Sequence, residues 1–277
     1  MAPDAHSGTT GHDVGSGVTT SDIPPGYEAI PVSRVRLRAR RRAIARNLEA
    51  SNQIPSLTAD MQMELGALLE ARAEHNSNAS NPKASVLAFI ARAAVATIGE
   101  FPNLNASYTE SALLHWNAVN LGIAVDARDG LVVPVVRNAE GLAVTPLARA
   151  IAAVALKARD GSLALEDLVG GTFTVSNPGS VGPVLRAEAL INPPQVALLG
   201  LPAAKKMPVV VTDEDGVDTF VIRTVICPSL TFDHRAIDGG EVVRFLDAMR
   251  YRVESWRLTD YVAEPSATAH GNGATDG

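Results

Sequence analysis

The chain has 277 residues, a formal net charge of −6, 46% apolar side chains and a single cysteine. The acidic balance argues against a nucleic-acid partner, which needs a basic face, and the lone cysteine excludes an intrachain disulfide framework and fits a reducing, cytoplasmic setting. No run approaches the ~18 apolar residues that span a bilayer, and the N-terminus lacks the apolar core of a signal peptide.

Residues 1–27 are rich in Gly, Ser, Thr and Asp without apolar periodicity, which predicts a disordered leader, and residues 263–277 predict a similar tail. Between them, residues 28–262 predict one folded domain. Val35 to Ala50 predicts a helix in which arginines alternate with Val35, Leu37, Ala39, Ala43, Ile44 and Leu48. It reads as a solvated cationic face, or as a surface that attracts phosphate groups or an acidic partner. A strand over Ser56 to Met63 precedes helices over Glu64 to Glu74 and Ala84 to Ile98. His75 falls at a helix end, where positive charge suits the dipole. Extended stretches follow near Ser107, over Val119 to Val125 and over Leu131 to Arg137, the last two joined by a hairpin turn at Asp126–Gly130. His115 lies in an extended run as a packed or surface residue. Pro146 starts a helix to Arg159 with Thr145 as its cap. Strands then run over Thr172 to Ser176, Val196 to Leu201, Val209 to Thr212 and Asp218 to Phe232, with a second hairpin turn at Asp213–Gly216. The alternation predicts an α/β sandwich of a mixed sheet and helices. No His, Cys, Asp and Glu cluster has metal-ligand spacing, so no metal is expected.

The densest motif is Asp233-His-Arg-Ala-Ile-Asp-Gly239, between an apolar extended run and a helical repeat of Val242, Phe245, Leu246 and Met249. His234 therefore sits on a strand-to-helix loop, where a scaffold can present it to a cleft. Asp238 and Glu241 have the spacing of a capping box. Spacing alone leaves both an ordinary loop histidine and a reactive one open.

Several segments resemble, in one order, the catalytic domains of the 2-oxo acid dehydrogenase acyltransferases (E2 components), which share a His-x-x-x-Asp-Gly signature with chloramphenicol acetyltransferases. They are Arg41-Arg-Ala-Ile-Ala45, Phe101-Pro-Asn-Leu-Asn105, Asn120-Leu-Gly-Ile-Ala-Val125, Asp129-Gly-Leu-Val-Val-Pro-Val135, Gly171-Thr-Phe-Thr-Val-Ser-Asn-Pro-Gly179, Ile191-Asn-Pro-Pro-Gln195 with Ala197-Leu-Leu-Gly200, and the His234 motif. The resemblance implies a chloramphenicol-acetyltransferase-like fold and transfer of a short acyl group between a dihydrolipoyl thiol and coenzyme A. It makes His234 the general base and acid, Ser176 the donor to the oxyanion, and Asp238 a support that locks the loop through Arg235 or an arginine of the first helix. It also implies a homotrimer in which Ser176 and His234 come from different protomers, working with 2-oxo acid dehydrogenase subunits. The 277 residues show no lipoyl-domain motif, so the expected lipoyl donor is another polypeptide. A bare trimer is expected over a larger shell, since the last residues carry no apolar anchor. Arg186 and Glu188 stand where the family often has Phe, Thr and Pro, leaving the acyl group open. Two rival readings remain: transfer from acyl-CoA to a small hydroxyl or amine acceptor, and a non-catalytic trimeric core subunit.

Overall fold

The computed structural model describes residues 23–128 and 130–257. Residues 1–22 of the leader expected over 1–27, residues 258–262 of the expected domain, the tail over 263–277 and Asp129 of the first hairpin turn lie outside the described residues. The described residues fall into two units that divide between Ala43 and Ile44. In the first, residues 23–38 form turns rather than regular structure. Tyr27, Ile30, Val32 and Val35 are exposed there and line a cavity of about 400 Å³.

The elements in chain order are α1 (Ala39–Asn52), β1 (Ser56–Asp60), β2 (Met63–Glu64), α2 (Gly66–Ser77), α3 (Val86–Ile98), β3 (Ala106–Tyr108), β4 (Leu113–His115), β5 (Leu121–Ala127), β6 (Gly130–Val132), β7 (Val135–Val136), α4 (Val144–Asp160), β8 (Phe173–Ser176), β9 (Ala197–Gly200), β10 (Lys205–Thr212), β11 (Asp218–Ile226), β12 (Ser229–Asp233) and α5 (Gly239–Glu254). The largest sheet runs β1-β12-β9-β8-β5-β6, with β7 also paired to β5. Strand β8 is parallel to both neighbours and the other pairs are antiparallel. This is the expected mixed α/β sandwich.

Strand alternation sorts the sheet into two chemically distinct faces. One transverse row reads Ile123, Val175, Leu199, Leu230, Ala59, and the next row on that face adds Leu121, Phe173, Ala197, Phe232 and Leu57. Most of these are buried and join Phe89 of α3, Leu147 and Ile151 of α4, and Phe245 and Leu246 of α5 in one core. The opposite face carries the rows Ala124, Ser176, Gly200, Ser229, Asp60 and Gly122, Thr174, Leu198, Thr231, Thr58. It is small and polar. Thr174, Ser229 and Thr231 are nonetheless buried, and each finds a partner: Thr174 donates to Gln195 Oε1 at 2.7 Å, Thr231 pairs with Thr58 at 2.9 Å, and Ser229 Oγ accepts from Ala187 N at 3.4 Å.

Several predicted elements shift, each for a local reason. The run from Asp218 to Phe232 is two strands in two sheets. Pro228 lacks the N–H a continuous ladder needs, and its carbonyl accepts Met61 N at 3.2 Å where β1 gives way to β2. Cys227 lies at that break. Leu131 to Arg137 likewise splits into β6 and β7. Helix α4 begins one residue before Thr145, so Ala143 occupies the cap and Thr145 does not cap; Gly161 closes the helix at φ 72°. Helix α3 is capped by Ser85, whose Oγ accepts Ala88 N at 3.2 Å. Helix α1 starts at Ala39 rather than Val35, and its described side chains are mostly exposed within the chain. His75 lies in the last turn of α2 as expected, and is buried there. Its Nε2 lies 3.2 Å from Pro82 O and its ring meets the edge of Phe89.

Candidate active site

Strand β12 ends at Asp233, and the next four residues turn tightly into α5. Asp233 N donates to Val196 O at 2.8 Å, which closes the ladder. Asp233 O accepts from both Ala236 N and Ile237 N at 3.0 Å. His234 N donates to Pro55 O at 3.0 Å, tying the loop to the link between α1 and β1. The His234 side chain is exposed and its ring lies 5.5 Å from that of Phe232. Among the described residues the imidazole makes no hydrogen bond, so both ring nitrogens are open. A backbone fixed on several sides thus carries an unengaged imidazole.

The residue that staples this loop is one the sequence reading passed over. Asp233 is 1% exposed, and its Oδ1 accepts Arg235 N at 3.0 Å and Arg235 Nε at 2.9 Å, while Oδ2 accepts Nη2 at 2.7 Å. This bidentate fork raises the Arg235 pKa further above its usual range. The guanidinium lies 4.3 Å from the centroid of the Tyr108 ring, so β3 is clamped to the loop as well. Arg235 is therefore the partner of Asp233 and not of Asp238. A signal for this was present: a carboxylate ending an apolar strand must find a cation, and the nearest is two residues on.

Asp238 stands at the N-cap of α5 with φ −85° and ψ 148°, but its side chain caps nothing. Its carbonyl accepts Glu241 N at 2.9 Å and Val242 N at 3.2 Å. The expected capping box is not formed, because Glu241 instead accepts Asn103 Nδ2 at 3.0 Å. Asn103 Oδ1 in turn meets His115 Nε2 at 2.8 Å, giving that exposed histidine a structural partner. Among the described residues the Asp238 carboxylate is exposed and has no hydrogen bond or ion pair.

Ser176 ends β8, half-buried, on the polar face. Register puts Ser176, Gly200 and Ser229 in one row. His234 lies five residues beyond Ser229 at the other end of β12. At about 3.4 Å per residue and about 4.8 Å per strand, the two Cα atoms are separated by about 17 Å along the sheet and about 10 Å across it. Within one chain, the two side chains do not meet at one reacting carbonyl.

The segment after Ser176 crosses the polar face. A Cβ on Gly200 would lie 1.8 Å from Ala187 O, so Ala187 rests directly on the row of Ser176. Arg186 Nε pairs with Asp60 Oδ2 at 2.9 Å and its Nη1 with Glu188 Oε2 at 3.6 Å; Thr58 donates to Glu188 at 3.1 Å. Beside this cluster Cys227 is partly buried, and burial together with the Asp60 charge pushes its thiol pKa up. A cavity of about 330 Å³ lies next to the His234 loop, lined among others by Ile54, Tyr108, Pro193, Gln195, Asp233 and Arg235. Among the described residues no group of three or more His, Cys, Asp or Glu could hold a metal ion, and no helix is long and apolar enough to cross a membrane.

Residues 30–259 match the family model for 2-oxoacid dehydrogenases acyltransferase (catalytic domain). The dihydrolipoyllysine-residue acetyltransferase component of the Mycobacterium tuberculosis pyruvate dehydrogenase complex is 43% identical over 170 residues, covering 61% of this chain and 31% of that protein. The succinyltransferase component of the Cupriavidus necator 2-oxoglutarate dehydrogenase complex is 37% identical over 230 residues, covering 82% and 53%. The chain thus spans about a third to a half of the length of these relatives. Among solved structures, Azotobacter vinelandii dihydrolipoamide acetyltransferase superposes with a TM-score of 0.76 at 30% identity, covering 84% of this chain and 96% of that one. In that protein a serine, a histidine and an asparagine four positions after the histidine were investigated for their role in catalysis.

Proposed function

Because the chain belongs to the 2-oxoacid dehydrogenase acyltransferase catalytic-domain family, we propose that it moves a short acyl group between a dihydrolipoyl thiol and coenzyme A, with residues 28–262 as the catalytic domain. The observation that carries this reading is the exposed, unbonded imidazole of His234 on a loop whose backbone is held at Asp233, His234, Ala236 and Ile237.

The chemistry suits such a group. A free thiol has a pKa near ~8.5 and imidazole near ~6.5, so a neutral His234 takes the thiol proton at modest cost. The thiolate sulfur attacks the thioester carbonyl, forming a carbon–sulfur bond and placing negative charge on the carbonyl oxygen. The Ser176 hydroxyl donates to that oxyanion, an interaction worth about 3–4 kcal/mol. The tetrahedral intermediate collapses, the other carbon–sulfur bond breaks, and the imidazolium returns its proton to the departing sulfur. Both thiols are substrates and pass through the site.

The sheet register supports a site completed between protomers. One chain holds Ser176 and His234 about 20 Å apart, so a hydroxyl and an imidazole that serve one carbonyl come from two copies. A closed homotrimer supplies such pairs by symmetry. The Asp238 carboxylate, open among the described residues, supports the loop through a cation that the assembly brings to it. The partners are then a lipoyl-bearing protein and 2-oxo acid dehydrogenase subunits.

The test is direct. Purified protein is given acetyl-, succinyl- or branched acyl-CoA with either free dihydrolipoamide or a hydroxyl or amine acceptor, and thioester exchange is followed. Transfer to dihydrolipoamide that is lost in His234→Ala, with the fold intact by circular dichroism, is the expected result. Unchanged turnover in that variant, or transfer only to oxygen or nitrogen acceptors, overturns it.

A further inference from the structure

We propose that Asp233 and Arg235 form the positioning pair of this site, the buried carboxylate stapling the loop that carries His234 and the guanidinium neutralising that carboxylate one residue along the chain from the base. The inference rests on the reading of His234 as the base and adds two residues to it.

Three features of the pair argue for it. First, it is the point where the loop joins the scaffold. Asp233 belongs to β12, an interior strand between β1 and β9, while its Oδ1 reaches forward to Arg235 N and so sets the backbone on either side of His234. Second, the geometry is over-determined. Three hydrogen bonds join the two side chains and the intervening backbone, and the far side of the guanidinium packs on Tyr108. A lysine could supply the charge but neither the fork nor the planar stack. Third, the pair is electrostatically asymmetric. The carboxylate is 2% exposed, whereas the Arg235 side chain is 40% exposed. Water screens the cation more than the anion, so the direct fork is what holds the carboxylate neutralised.

The sign of the electrostatic effect follows. Without Arg235, the buried Asp233 charge adjoining His234 in the chain is unpaired and favours imidazolium, which removes neutral His234 at the acid side of the activity profile. Other titratable groups at this end are Asp238 and Glu241 on the segment into α5, and Tyr108 and His115 on the β3–β4 hairpin. Glu241 and His115 are both held by Asn103. The link between α1 and β1 offers Gln53, Ile54 and Pro55, and the Asn192–Val196 segment offers no titratable group.

The test compares Arg235→Met, Arg235→Lys and the double variant Asp233→Asn/Arg235→Met with the wild type in the trimeric protein. It reads kcat/KM against pH and the His234 titration by NMR of isotope-labelled histidine without substrate. Arg235→Met is expected to lower kcat and to move the acid limb and the His234 titration upward by about one pH unit. The double variant is expected to return both to the wild-type position while kcat stays low. Arg235→Lys keeps the charge, so its acid limb stays put while kcat falls severalfold; it also serves if Arg235→Met fails to fold. An unmoved titration in Arg235→Met, or full kcat in Arg235→Lys, overturns the proposal. His234→Ala runs in parallel: full activity there removes the base itself, whereas a dead His234→Ala beside an unperturbed Arg235 series removes only this inference.

Discussion

Mixing two inactive variants should restore activity. Ser176 ends β8 and His234 follows the far end of β12, two strands over with β9 between them, about 17 Å apart along the sheet and about 10 Å across it, whereas a reacting carbonyl has to be within about 3 Å of its oxyanion donor. No rotamer change closes that gap inside one chain. Ser176→Ala should lower kcat by about 10²–10³ through loss of one oxyanion donor. His234→Ala should lower it by about 10²–10⁴ through loss of the general base. In a closed ring each site takes its hydroxyl from one protomer and its imidazole from the next. An equal, fully exchanged mixture therefore leaves about one site in four with both groups, and activity recovers to about a quarter of wild type. The assay is thioester exchange with acetyl-CoA and dihydrolipoamide, using two affinity tags to prove that mixed assemblies formed. If doubly tagged assemblies form and activity remains at the mean of the two parents, the cross-protomer site is wrong.

Three further outcomes follow from particular contacts. Gly200→Ala places a Cβ 1.8 Å from Ala187 O and 2.8 Å from Ala187 C, both main-chain atoms; it should cost about 1–3 kcal/mol in a melt and depress kcat by displacing the row of Ser176. Gly182→Ala, with nothing within 4 Å, is the control expected to keep its melting temperature. Thr174→Val strands the buried Gln195 acceptor and should destabilise by about 1–3 kcal/mol, or several degrees in Tm, so an unchanged melt would count against the polar-face description. The Cys227 thiol pKa is raised by burial and by Asp60 and lowered by Arg186. Its thiolate should react with iodoacetamide more slowly than free cysteine, faster after Asp60→Asn and more slowly still after Arg186→Met. The reverse order would remove Asp60 from its surroundings.

The arrangement of the candidate site was only partly legible beforehand. Asp238 four residues after His234 has the spacing of a cap and an ion-pair partner, yet its carboxylate stays open while Asp233 takes Arg235. Spacing alone does not rank two carboxylates that lie two and three residues from one arginine. The choice falls to burial: Asp233, 1% exposed at the end of an interior strand, loses most if left unpaired. In the same way Glu241 leaves the capping box for Asn103, a residue 138 positions away.

Alternation of Ser and Thr with Val, Phe and Leu along Thr172–Ser176 and Ser229–Asp233 already fixes two-faced strands, and the His234 motif already fixes a loop opening a helix. Periodicity is a property of neighbours along the chain, so the sequence carries it alone. Which strands lie side by side, and in what register, depends on contacts between distant segments summed over the whole sheet. That sum turned the run across Pro228 into two strands of different sheets, set Ala187 on Gly200, and held Ser176 and His234 too far apart to meet within one chain.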